Sequence, residues 1–144
     1  CLQIHGDNGS VSMPLQVAVS ATRTTDLDIA DNTTTVITNY DTVYFDTHNA
    51  FNSTTGTYSY PEDGYYLLSC EVRWLELTAG KRFVTTMGGI RVENYMSSTA
   101  SFETHNGSQI NYQTAGDTVT LSVWQLSGVA RYITHGKFQI IKVA

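Results

Sequence analysis

Cysteine, charge and long apolar runs are all scarce in these 144 residues, and each scarcity excludes something. Two cysteines cannot build a disulfide framework. Charged residues make up only 15% of the chain, so much of its surface must be neutral threonine, serine, asparagine and glycine. The 8 basic residues against 13 acidic ones give a net charge of −5. That leaves no basic footprint for nucleic acid and no polybasic patch for a membrane surface. No apolar run approaches the ~20 residues needed to span a bilayer. The opening residues also lack the charged-then-apolar pattern of a secretory leader, so membrane insertion is not expected. What is present is 41% hydrophobic residues, enough for one domain with a real core.

Cys1 stands where an initiator Met would, which reads as a processed form or a piece of a longer chain. A mature lipoprotein also begins at an acylated cysteine, but a domain-boundary cut is the plainer reading. Cys70 sits in an apolar run and is expected to be a buried free thiol rather than a partner for Cys1.

No stretch has the spacing of a long helix. Short segments rich in Val, Ile, Thr, Tyr and Phe alternate with period two between Gly, Asn and Asp turns. After Asp63-Gly64, the residues Tyr66, Leu68, Cys70, Val72 and Trp74 form one apolar face. After Gly116-Asp117, Val119, Leu121 and Val123 point one way and Trp124 the other. The stretch 97–108 reads as a polar loop, 127–128 as a turn, and 137–143 as a closing strand. Eight to ten strands without helices predict an antiparallel sandwich, with 1–14 as a lead-in and 15–144 as one domain.

Chemistry-bearing patterns are few. There is no nucleophile elbow, phosphate loop or His-Glu-x-x-His run. His5, His48, His105 and His135 are scattered in loop-like sequence. No enzyme, metal or cofactor is expected. Asp26, Asp28 and Asp31 could supply oxygen ligands for calcium, but acids in threonine-rich turns more often cap the backbone. Asn-x-Ser/Thr patterns at Asn8, Asn32, Asn52 and Asn106 gain meaning only in a eukaryotic secretory pathway. Recognition is expected in loops on a rigid sandwich, here 97–108 with His105 and Asn106, and 127–135 with Tyr132. Trp124, opposite the core face of its strand, is a further candidate for a sugar-stacking platform.

One stretch points to a family. Asn49, Phe51, Thr55, Gly56, Tyr58, Gly64 and Tyr66 fit an Asn and aromatic, then a Thr-Gly-x-aromatic turn, then a Gly-x-Tyr strand. This resembles the signature of the C1q globular domain. Gly116-Asp117-Thr118-Val119-Thr120-Leu121 and Phe138-Gln139-Ile140-Ile141 are similar to that family's later strands. Leu68 replaces a usual aromatic, and Gln139 a frequent glycine. The resemblance covers residues 15–144 and implies an all-β, ten-stranded jelly roll of the C1q and tumour-necrosis-factor kind, associated as a homotrimer.

Tyr65, Leu67, Ile141 and Val143 are apolar on faces opposite the predicted core, and a trimer interface would cover them. The lead, with Gly9, Val11, Ser12, Met13, Pro14 and Gln16, resembles leads found before terminal modules of phage fibres and other virion proteins. Together these imply a non-enzymatic module of a virion fibre or decoration protein, touching other virion proteins and a host-surface glycan or protein receptor. A secreted C1q-like lectin, or a trimerisation cap that binds nothing, are the alternatives.

Overall fold

The computed structural model describes residues 15–144, together with one short backbone pairing in the lead, β1 (Gln3–Ile4) against β2 (Val11–Ser12). Cys1, the expected turn at 7–10 and most of the lead that resembles virion proteins lie outside the described residues.

Two antiparallel sheets face each other. The first runs β12 (Ala100–Gln113), β9 (Gly64–Leu77), β14 (Arg131–Lys142), β3 (Ala18–Arg23), β6 (Thr42–Asp46), with β4 (Leu27–Ile29) also paired to β14. The second runs β11 (Ile90–Tyr95), β10 (Arg82–Met87), β13 (Thr118–Leu126), β8 (Thr57–Ser59), β7 (Phe51–Asn52), with β5 (Thr35–Val36) on β13. The sheets hold twelve strands rather than ten, and four of them, β4, β5, β7 and β8, are pieces of only two or three residues.

Alternation decides what is inside. Tyr66, Leu68, Val72 and Trp74 of β9 are all fully buried, and Leu121 and Val123 of β13 close over them from the other sheet. Cys70 is a buried free thiol, and its burial pushes its pKa up to about 11. At one end of the core, Phe138 stacks on Phe51 at 5.0 Å, and Tyr40 meets Phe51 edge-on at 5.1 Å. Gly56, at φ +69, lets the chain turn against the carbonyl of Ile37; a Cβ there would stand 2.1 Å from that oxygen.

The segment between β3 and β6 is threonine-rich, and a buried arginine pins it. Arg23, 7% exposed, donates to the carbonyls of Thr25, Thr38 and Asp26 at 2.6–2.9 Å.

The largest departure from the sequence reading is β12. The expected loop at 97–108 is mostly strand, paired to β9 from Ala100↔Leu77 to Gln113↔Gly64. Its inward positions carry Glu103, His105 and Gly107, and Gln109 after them is exposed, so no apolar alternation marks it. The opposite sheet makes those residues fit: Asn94 donates to Glu103, and His105 Nδ1 lies 3.0 Å from Thr85 Oγ1. Gly107 sits so close to β11 that a Cβ would come 2.4 Å from Ile90 Cγ2.

Candidate functional site

The sandwich leaves two outer sheet faces, and the sequence-nominated residues apart from His105 and the three acids divide between them. On the β9 sheet, the outward side chains alternate with the core set. Ile110 of β12 and Ile141 of β14 both register with Leu67 of β9. Tyr65 lies edge-on to Tyr112, 5.2 Å between ring centres. Tyr65, Ile110 and Tyr112 are each more than half exposed, with Val143 close to that. The four residues expected at an interface, Tyr65, Leu67, Ile141 and Val143, therefore lie together. Ile110 and Tyr112 extend them; a strand reading of 100–113 would have revealed the pair.

Below this apolar end the same face turns polar. Ser69, Asn106, Ser108 and Gln139 follow, then Glu71 with His135 Nε2 3.3 Å from its carboxylate. The face ends on Phe102, whose ring lies under the Arg73 guanidinium at 4.7 Å, and on Tyr132. Tyr132 registers with Leu75 and donates its hydroxyl to Glu76 at 2.9 Å, which pushes its pKa up.

His105 belongs to neither face. It is 1% exposed, between the sheets, beside Thr85 and 6.2 Å from the Trp74 ring. The expected exposed loop histidine is thus a core residue, because residue 105 points inward on β12. Burial pulls its pKa from 6.5 down to about 4.

Trp124 lies on the outer face of the β13 sheet, as the alternation of its strand requires. The Gly88-Gly89 hairpin sets the register beside it, pairing Val84 with Glu93 and Thr86 with Arg91; β13 then places Trp124 across from Val84. A groove of about 280 Å³ results, floored by Val84 and rimmed by Trp124, Arg82, Arg91, Thr34 and Thr86. The Arg82 guanidinium stands 5.5 Å from the Trp124 ring centre. Arg82 Nε and Arg91 Nε and Nη2 all donate to the Glu93 carboxylate, holding its pKa down at about 2. Arg82 and Arg91 went unnoticed in sequence, although a two-residue Gly-Gly turn is enough to place them on one face with Val84.

The three acids considered for calcium do not assemble. Among the described residues no three His, Cys, Asp or Glu side chains gather as a metal requires. Asp31 instead caps a turn, its Oδ1 accepting from the amides of Ser127 and Gly128 at 2.9 Å each. Asp31→Ala is expected to cost about 1–3 kcal/mol, since two amides lose a charged acceptor. Thermal unfolding checks this; chelator should leave the wild-type melting curve unmoved, and a large drop with chelator would restore the calcium reading.

No protein-family model matches the chain, and no curated protein matches it by sequence. Solved structures do match. The globular domain of zebrafish complement 1qA is 14% identical, with a TM-score of 0.64 over 88% of this chain and 97% of that one. The Eiger TNF of S. frugiperda is 11% identical, with a TM-score of 0.67 over 91% and 94%. The PRD1 vertex protein P5 is 16% identical, with a TM-score of 0.60 over 99% of this chain and 82% of that one. No helix among the described residues is long and apolar enough to cross a membrane. The chain therefore has the jelly-roll fold shared by C1q- and tumour-necrosis-factor-like globular domains.

Proposed function

We propose that this chain is a non-enzymatic homotrimeric module displayed on a virion, in a fibre, vertex or decoration protein, with 1–14 leading into the domain. The outer face of the β9 sheet carries this reading. Tyr65, Leu67, Ile110, Tyr112, Ile141 and Val143 make one contiguous apolar end of that face. Such a patch fits an interface core, and the residues below it supply a polar continuation. The likeness to the PRD1 vertex protein, which spans 99% of this chain, supports the virion setting.

On this reading Asn106 and Tyr132 lie on the face given to the trimer, and His105 lies between the sheets. Trp124, on the opposite face, is left to contact a host-surface glycan or protein receptor. Sedimentation should give three times the 15.9 kDa chain mass at micromolar concentration. Ile110→Asp should shift it to folded monomer, because a charge on an exposed position harms the interface rather than the core. A wild-type monomer would overturn the trimer. A secreted C1q-like ligand is the second reading, favoured by the similarity to the zebrafish and S. frugiperda domains. Capsid or tail genes beside this one would decide for the virion.

A further inference from the structure

We infer that the Trp124 groove is a binding site for a saccharide bearing a carboxylate. This deepens the recognition reading above and rests on it. The groove joins three chemistries on one rigid sheet face. Trp124, half-buried at the rim, offers an aromatic plane on which the C–H face of a pyranose can pack. Val84, 3% exposed, makes the floor apolar, while Thr34 and Thr86 place hydroxyls at the sugar's edge.

Arg82 and Arg91 supply the charge. They share one acid, Glu93, so two guanidinium groups face a single carboxylate and the rim keeps a net positive charge on a chain of net −5. Glu93 occupies Nε of Arg82, and among the described residues no partner takes its Nη groups. The Arg82 guanidinium stands over the Trp124 ring at 5.5 Å from its centre, so a planar carboxylate on a sugar packed against the exposed part of that ring can accept from its Nη groups. A neutral sugar would use the ring and the hydroxyls but leave the guanidinium unanswered. The ligand class is therefore an acidic glycan, a sialoside or a uronate.

Titration calorimetry with sialyllactose, trigalacturonate and lactose tests this. At least one acidic probe should bind about tenfold more tightly than lactose. Arg82→Gln should remove that preference, bringing the acidic probe to within about twofold of lactose, and Trp124→Ala should weaken every sugar that binds. Fluorescence gives a second readout, because Trp74 is fully buried and quenching by a ligand reports Trp124. Equal affinity for acidic and neutral sugars, or an acidic preference that survives Arg82→Gln, would overturn the proposal. A glycan array separates the two failures. Array binding untouched by Arg82→Gln and Trp124→Ala sinks the groove alone, whereas a folded trimer that binds no glycan sinks the groove and glycan recognition with it.

Discussion

Replacing Tyr66 by alanine is expected to lower the unfolding free energy by about 3–5 kcal/mol, and replacing it by phenylalanine by only about 1 kcal/mol. The ring is fully buried in the aromatic end of the core and packs against Tyr60 at 4.8 Å between centres. Removing it leaves a cavity between two sheets whose strands are held in register on both sides, so the site cannot collapse freely. The hydroxyl matters less. It donates to the carbonyl of Glu62 at 2.8 Å, at the turn that leads into β9. Phenylalanine keeps the packing and loses this one bond, near enough to the surface for water to serve the carbonyl. Urea unfolding at fixed protein concentration measures both changes, since oligomer stability depends on concentration. Equally small effects of the two substitutions would show that the ring does not hold the sheets together.

Acid should destabilise the fold through His105, by about 2–3 kcal/mol between pH 6.5 and pH 4. The unfolded histidine takes up a proton near pH 6.5, whereas the buried one resists until about pH 4. Across that window the unfolded state binds more protons, so stability falls as pH falls; above it the residue contributes no pH dependence. Burial alone causes the shift, with no charged neighbour contributing. The ring lies against Thr85 and Trp74, and Trp74 Nε1 donates to the same Thr85 hydroxyl at 3.3 Å. A charged imidazole there would have to be solvated by opening the β12 edge. His105→Gln, neutral at every pH, should be less stable at pH 7 but lose distinctly less between pH 6.5 and 4. The exposed carboxylates held down by partners, Glu93, Glu62 and Asp41, titrate in both proteins and cancel in the comparison. Coincident pH profiles for wild type and variant would remove His105 as the cause.

The β-sandwich, its turns and much of its core were legible from sequence because their signals are local. Tyr66, Leu68, Cys70, Val72 and Trp74 declare an inward face by position alone, and Gly88-Gly89 and Gly116-Asp117 mark turns whatever lies across from them. The same period two placed Trp124 outside, and it placed Tyr65 and Leu67 on the surface that Ile141 joins. Only the tertiary structure decided the rest, and β12 shows why. Glu103, His105 and Gly107 suit their inward positions only because Asn94, Thr85 and Ile90 stand across from them on another sheet. Those partners lie 9 to 20 residues away along the chain in a strand reading that begins with a hairpin, so no alternation within 100–113 can reveal them. The Trp124 groove is of the same kind. Arg82, Val84, Arg91 and Trp124 come from three strands, and they become one surface only when the hydrogen-bonded register of β10, β11 and β13 sets them side by side.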